Sequence, residues 1–437
     1  MIIRILYYYY KTIFLKTYLN SREKLLKYQK KQFNKLAKST LKNSPFYRNY
    51  LDKPFQEWPI INKHLMMEHF DEINTRQIKK DDAFAIALKA ETTRDFSPLL
   101  DDIAVGLSSG TSGSRGLFLT SPRERDAWVG TILAKALPDG LKTEERIAFF
   151  LRANNQLYTH LGKSKKIKFY FFDLQEDLDQ HIKKLNVIQP TILSAPASVL
   201  LMLAKQRHRL TIQPPKKIIS VAEVLEKSDE IVISKAFDQP VTQIYQCTEG
   251  FLAIGDKTTN ALVMNEEFLI IEKEWLDGTR FVPIVTDLLR TTQPVIRYRL
   301  DDVLVTKKTD AVFTELTAIE GRLDDVLHGK RGPEIIPIFA DTLRQKMASS
   351  PVAFEDYHIV QLTLDQFSIR VFPEPENKTL LIDHLNQLFK QKNCLIPTWQ
   401  WQDYEEQPSG SKRRRIQSRF KAIADTFEGV DLTRKNK

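Results

Sequence analysis

Val105 to Ser121 reads VGLSSGTSGSRGLFLTS. Glycines and small hydroxyl residues crowd between two apolar, strand-like runs. Glycine removes the Cβ that would keep the backbone away from a guest, and successive backbone N–H groups in such a loop form a concave nest for an anion. Serine and threonine hydroxyls add neutral donors, and Arg115 adds charge. The guest this chemistry suits is the phosphate chain of a nucleotide. The GxxxxGK[ST] pattern of the nucleotide-hydrolase P-loop is absent, so this is a different phosphate loop. A solvated serine loop with no ligand is the alternative reading of these residues alone.

Outward from the loop the rhythm is α/β. From about residue 100, strand-like runs such as RIAFFLR, KIKFYFFDL and KKIISVAEVL alternate with helical runs such as DLDQHIKKLN. Strands spaced by helices of this length predict a largely parallel sheet. Between about 260 and 305 the runs shorten and close up (ALVM, FLIIEKEW, RFVPIVTDL), which predicts a smaller antiparallel sheet. Beyond it, a helix over Ile338 to Met347, the strands HIVQLTLD and SIRVFP, and a helix over Lys378 to Lys390 predict a small α+β domain. Upstream, residues 1–100 are mostly helical in pattern. One helix spans roughly 20–43, where Leu26, Phe33, Leu36, Ala37 and Leu41 recur among lysines, and Asn43-Ser44-Pro45 stops it. The length of 437 residues suits two to three domains.

Charge is concentrated at one end. Residues 1–50 hold twelve Lys or Arg and a single acid, Glu23, for +11 of the chain's total of +10, so the remainder sums to −1. That distribution argues against a protein that wraps nucleic acid along its length. Arg4, Lys11 and Lys16 interrupt the apolar start MIIRILYYYYKTIFLKTYL, and no small-residue cleavage site follows, unlike a signal peptide. Two readings remain for it. One is helices packed on the domain. The other is peripheral contact with an anionic membrane surface, with Tyr7 to Tyr10, Ile13 and Phe14 at the interface. Two cysteines, Cys247 and Cys394, exclude a disulfide framework and a multi-cysteine zinc site, and point to a reducing, cytoplasmic location, free or peripheral to the inner membrane face. Cys247 and His160 read as packed or surface residues, and Asp101-Asp102 as a solvated turn.

Four further motifs follow the loop in order: YQCTEG (Tyr245 to Gly250), VIRYRLDDV (Val295 to Val303), IEGRLDDVL (Ile319 to Leu327) and PSGSKRRRI (Pro408 to Ile416). With the loop, they resemble the adenylate-forming superfamily of acyl-CoA synthetases, peptide-synthetase adenylation domains and luciferases. Within it they look most like the branch holding phenylacetate–CoA ligases and the synthetases that adenylylate a deazaflavin cofactor. The resemblance runs from SPFYR (Ser44 to Arg48) to the C-terminal lysine segment.

The resemblance implies a fold, a site and a reaction. The fold would be a large N-terminal AMP-binding domain over 1–321, with mostly parallel sheets and a smaller antiparallel one. A small mobile α+β domain over 322–437 would follow, hinged near Asp324. SSGTSGSRG matches the family's SSGTTG loop, so Ser108, Ser109, Gly110, Thr111, Ser112 and Gly113 would hold phosphates, with Arg115 in the stretch where the family carries Pro-Lys-Gly. Ala222-Glu223 resembles the [GA]AE element beside the adenine. Tyr245 would flank the adenine, Thr248 would contact the α-phosphate and Glu249 would help hold Mg²⁺; Gln246 takes a position that is usually glycine. Asp302, from the match to RYRTxD, would bind the ribose hydroxyls. Arg322, from the match to GRxDD, would bind ribose or phosphate, and Lys412 would be the mobile catalytic lysine. The stretch HGKRGPEII departs from the branch's glycine-containing turn that helps line the thiol channel.

The reaction so implied joins a small aryl or acyl carboxylic acid to ATP, releasing pyrophosphate, and then transfers the acyl group to CoA or a carrier-protein thiol. AMP transfer to a phenolic hydroxyl and a non-catalytic nucleotide-binding scaffold are the alternatives. Such a site must cancel charge between two anions and align attack on phosphorus. It needs no nucleophilic side chain.

Overall fold

A serine, a proline and a glutamate start the helix that organises the N-terminal part of the chain. In helix α6 (Pro122–Ala136) Ser121 is the N-cap, Pro122 stands in the first turn, and the Ser121 and Glu124 side chains cap one another's backbone N–H. The computed structural model describes residues 1–93, 95, 97–108, 115–151, 166–256, 261–307, 309–405 and 414–420, with Asp324 and Asp341 described by their backbone alone. The described chain divides into two compact units: Met1–Leu300 with Leu304–Ile319, and Asp301–Val303 with Glu320–Lys437.

The first unit opens with helices α1 (Ile2–Tyr18), α2 (Arg22–Ser39), α3 (Lys63–Glu68), α4 (Phe70–Ile73) and α5 (Lys80–Thr93). Strands β1 (Ala104–Leu107) and β2 (Leu117–Thr120) pair as an antiparallel hairpin of their own. After α6, strands β3 (Glu145–Leu151), β4 (Ile167–Asp173), β5 (Ile192–Pro196), β6 (Lys217–Val221) and β7 (Val241–Cys247) lie parallel in the order β4-β3-β5-β6-β7. Both β5 and β6 are buried at every position, as expected of strands covered by helices on both faces.

The antiparallel strands are β8 (Gly250–Gly255), β9 (Leu262–Met264), β10 (Leu269–Trp275), β11 (Arg280–Asp287), β12 (Tyr298–Arg299), β13 (Asp302–Thr306) and β14 (Glu315–Arg322). They continue the parallel set through the antiparallel β7–β8 pair, so the two sets expected from sequence form one mixed sheet of 12 strands. The hairpin that carries YQCTEG is therefore the seam between them.

Apolar cores lie on each side of this sheet. Phe150, Phe172, Leu185, Leu200 and Phe237 pack beneath the parallel strands, and Val129, Leu133 and Ile147 pack beneath α6. Trp58, Ile61, Phe281 and Val285 join the N-terminal segment to the antiparallel strands. Arg297 pins the same junction: its guanidinium forms a two-pronged pair with Glu272 and donates to the carbonyls of Gln56 and Trp58.

The second unit is α+β. Strands β15 (Leu327–Arg331) and β16 (Glu334–Ile338) form a hairpin, so HGKRGPEII folds as a tight turn closed by an Arg331–Glu334 ion pair. Helices Ala340–Ala348 and Lys378–Gln391 cover a four-stranded sheet of β17 (Asp356–Gln361), β18 (Gln366–Phe372), β19 (Thr398–Trp401) and β20 (Ile416–Ser418), in the order β19-β18-β17-β20. Leu343, Ile359, Phe367, Leu385 and Phe389 fill its core.

Candidate functional site

The YQCTEG segment forms a hairpin in which Cys247 faces Gly250, leaving Thr248 and Glu249 alone at the turn between β7 and β8. A two-residue turn holds both side chains rigidly at a sheet end. The Thr248 hydroxyl donates to the Glu249 carboxylate at 2.8 Å. Tyr245 is buried in β7, two residues before Cys247.

Two hollows meet at this turn. The larger is a cavity of about 340 Å³. Its floor is apolar, with Ile147, Phe149, Ile192, Ile219, Ile244 and Phe251 on the sheet, roofed by Trp128, Ile132 and Leu133 of α6. The smaller is a cleft walled by Ser108, Gly116, Lys63, Thr248 and Glu249. Phe118, Thr248 and Arg290 line both. An apolar body in the first hollow would thus present its polar end to the second at Thr248 and Arg290.

Arg290 is buried and held from several sides. It donates from Nη1 to the Thr248 carbonyl at 3.2 Å and from Nη2 to the Leu119 carbonyl at 3.3 Å. Its Nε has no hydrogen-bond partner among the described residues. Two buried carboxylates answer its charge. Burial works against the charged form of Glu124, but the Arg290 guanidinium and hydrogen bonds from Thr292 and Ser121 outweigh it and hold the carboxyl below its ordinary range. For Asp287 the balance reverses. Burial pushes its carboxyl up to about 6, against the Arg290 guanidinium and the backbone N–H of Leu289. At the junction of cavity and cleft one guanidinium therefore acts on two carboxyls, a glutamate held below its ordinary range and an aspartate raised to about 6.

The sequence-derived residues distribute as follows. Ser108 and Gly116 close the neck of the β1–β2 hairpin: Ser108 N–H donates to the Gly116 carbonyl, and Gly116 N–H to the Ser108 hydroxyl, each at 2.8 Å. Ser109, Gly110, Thr111, Ser112 and Gly113 lie outside the described residues, as do Lys412 and His160. The Arg115 guanidinium makes a two-pronged pair with Glu91 of α5, at 2.6 and 2.5 Å, and donates from Nε to the Ser108 carbonyl at 3.5 Å. Ala222 lines the cavity with a left-handed backbone, φ +66°, a conformation that costs a residue with a Cβ. The Glu223 carboxylate accepts from the backbone N–H of Ser198, capping the helix Ala197–Lys205. Cys247 lines the cavity, and Asp102 pairs with Arg76 at 2.9 Å.

Asp302 and Arg322 belong to the second unit. There Arg322 donates to Asp301 at 3.0 Å, and Asp324 sits in a short helical turn, Leu323–Asp325. Gly321, just before, has φ +117°, which only glycine adopts without strain. Of the arginines after Lys412, Arg413 lies outside the described residues, Arg414 pairs with Asp325, and buried Arg415 pairs with Asp356 at 2.8 Å.

Reading the sequence missed Arg290, Asp287, Lys63 and Arg125. Arg125 is buried on the cavity wall, and its Nη1 has no partner among the described residues. Asp287 and Arg290 stand where the apolar strand β11 ends, a polar pair whose position was the available signal. Lys63 follows Asn62, which caps α3 by accepting from Leu65 N–H at 3.0 Å.

Comparison with known proteins bears on this geometry. No protein-family model matches the chain. Protein CapK of Staphylococcus aureus is 32% identical over 130 residues, 29% of this chain and 29% of that relative's own length. Among solved structures, 2-hydroxyisobutyryl-CoA ligase in complex with 2-HIB-AMP superposes with a TM-score of 0.65 at 14% identity, over 93% of this chain and 90% of the ligase. The two share a fold. The GH3.15 acyl acid amido synthetase shares it, with a TM-score of 0.59 at 12% identity over 90% of this chain and 88% of that one. Within this fold, the turn bearing Thr248 and Glu249 and the neighbouring cavity are the features with chemistry to offer.

Proposed function

We propose that the protein activates a carboxylic acid with an apolar body, using ATP to form an acyl-adenylate and pyrophosphate. The shared wall of the apolar cavity and the polar cleft carries this reading. The acid's hydrocarbon or aryl part would fill the cavity, and its carboxylate would lie at Thr248 and Arg290. Arg290 offsets the repulsion between carboxylate and α-phosphate, the main obstacle to attack on phosphorus. The backbone and hydroxyls of 108–113 and the ammonium of Lys63 would bind the leaving phosphates. Ala222, Glu223 and Tyr245 are proposed for the adenine, Asp302 and Arg322 for the ribose and phosphate. Lys412 is proposed as the catalytic lysine of the 322–437 domain, hinged at Asp324.

Glu249 fits a Mg²⁺ site: it offers a hard carboxylate at the cleft, and no group of three or more His, Cys, Asp or Glu side chains among the described residues competes for a metal. Mg²⁺ takes few protein ligands beside phosphate oxygens, and when bound would neutralise phosphate charge. The neighbours' names support either of two acceptors, a CoA thiol as in 2-hydroxyisobutyryl-CoA ligase or an amine as in the acyl acid amido synthetase. A carrier-protein thiol belongs with the first. Membership of the phenylacetate–CoA ligase branch, suggested by the motifs, is part of this proposal.

ATP–pyrophosphate exchange against a panel of aryl and fatty acids tests this. Exchange should depend on an apolar acid. An enzyme that binds ATP yet exchanges with no acid in the panel contradicts the reading and favours a scaffold. Lys412→Ala should abolish acyl-adenylate formation while sparing acyl transfer from supplied acyl-AMP; equal loss in both halves would remove Lys412 from its assigned role.

A further inference from the structure

Helix α1 has a buried face and an uncovered one. Ile5, Tyr8, Tyr9, Thr12 and Leu15 point inward. The packing is close: a Cβ on Gly130 of α6 would stand 2.4 Å from the Ile5 carbonyl oxygen. One turn around the same helix, Ile3, Tyr7, Tyr10, Phe14 and Tyr18 recur at spacings of three and four and face solvent, from 84% exposed at Ile3 to 50% at Tyr18. Leu6 and Ile13 widen this stripe. A soluble surface helix carries the reverse pattern, polar outward, so the stripe is an apolar patch in need of an occupant.

The surrounding charge says which occupant. Lys11 Nζ stands 5.9 Å from the Tyr7 ring centre and Lys24 Nζ 5.9 Å from that of Tyr18. Lys30, Lys31, Lys35 and Lys38 are exposed along α2, and none of them has an ion-pair partner among the described residues. Burial lowers the pKa of Lys11, and repulsion from Lys35 and Arg123 lowers it further, a mark of positive charge crowded without compensation. A second copy of this chain would bring the same cations against each other. An anionic surface with an apolar interior satisfies both the stripe and the lysines, and aromatic side chains suit its boundary. No described helix is long and apolar enough to cross a membrane.

We propose that α1 lies flat in the surface of an anionic lipid bilayer, with Tyr7, Tyr10 and Phe14 at the boundary between headgroups and acyl chains and the lysines of α2 against the headgroups. This surface is separate from the nucleotide cleft, so the inference stands or falls independently of the proposed reaction.

The test is co-sedimentation of the full chain with vesicles of phosphatidylglycerol and phosphatidylcholine, beside vesicles of phosphatidylcholine alone. Binding should require the anionic lipid and weaken with salt. The triple change Lys30→Glu, Lys31→Glu, Lys35→Glu should weaken it on the order of a hundredfold. Tyr10→Ser with Phe14→Ser should weaken it to a similar order. Phe14→Trp should keep binding and show a blue-shifted emission on anionic vesicles, which separates docking from misfolding. Three results overturn the proposal: no binding to anionic vesicles; binding that survives both multiple variants; or a dimer in sedimentation equilibrium that Tyr10→Ser with Phe14→Ser dissociates, while vesicles capture nothing.

Discussion

Arg290 donates from Nη1 to the Thr248 carbonyl at 3.2 Å, and the two residues together line both the apolar cavity and the polar cleft. The contact fixes the turn on which the proposed α-phosphate ligand stands and sets a cation beside it. Arg290→Lys keeps the charge but loses the fork that reaches the Thr248 and Leu119 carbonyls together. Pyrophosphate exchange should fall on the order of a hundredfold. Arg290→Met should also destabilise the fold by about 3 kcal/mol or more, because Glu124 loses its buried counter-charge. Exchange assays and denaturant melts of both variants check this.

Glu249 accepts from the Thr248 hydroxyl, and a glutamine oxygen can accept the same bond. Glu249→Gln should therefore leave stability within about 0.5 kcal/mol and weaken Mg²⁺-dependent ATP binding about tenfold or more. Calorimetric titration of ATP with and without Mg²⁺ measures it. An unchanged metal dependence would remove Glu249 as the ligand.

Asp287 gives a pH signature. Its folded pKa, about 6, lies above the ordinary value of 3.8 because burial disfavours the carboxylate. The native state therefore binds this proton more tightly than the unfolded chain, and the stability so contributed is present below about pH 4 and lost as pH rises through about 6. Asp287→Asn retains an acceptor for the Leu289 and Arg290 N–H groups. Relative to the parent protein it should gain stability between pH 4 and 6, by up to about 3 kcal/mol. Thermal melts at half-unit pH steps give the curve, and a flat difference would refute the assignment.

Gly130 lets α1 approach α6, since an added Cβ would also lie 2.8 Å from the Tyr8 Cβ and 3.0 Å from the Tyr9 nitrogen. Two of its three nearest neighbours are backbone, which cannot step aside. Gly130→Ala should cost about 1–3 kcal/mol, with faster amide exchange concentrated in α1. Melting and exchange mass spectrometry test both parts.

Ala222 tests strain. Its left-handed backbone should be relieved in Ala222→Gly, raising stability by about 1 kcal/mol. The melting temperature should rise, and a fall would show that the Ala222 methyl is needed by the cavity wall it forms.

The sequence by itself determined the local chemistry. Thr248 and Glu249 stand at the tip of a tight turn because TEG suits one and apolar runs flank it. Ser108 and Gly116 close a hairpin neck because glycine and serine crowd between two short strands. The alternation of β5, β6 and their helices followed from runs that read the same whether or not the rest of the chain is folded. Each of these depends on neighbours within a few residues, and that is the range over which a sequence can be read.

The tertiary structure decided what lies between such segments. The cavity is walled by Phe118, Trp128, Ile147, Ile219 and Ile244, apolar residues that any core would use, and only their convergence leaves a hollow. Arg115 pairs with Glu91, 24 residues away in sequence, because α5 packs against the β1–β2 hairpin. Arg290 reaches Thr248, 42 residues away in sequence, because the mixed sheet brings the end of β11 to the β7–β8 turn. Which face of α1 turns inward is decided only by α6, against which Ile5, Tyr8 and Tyr9 pack. In each case the deciding energy is burial or charge compensation between residues far apart in the chain, and it exists only once the chain has folded.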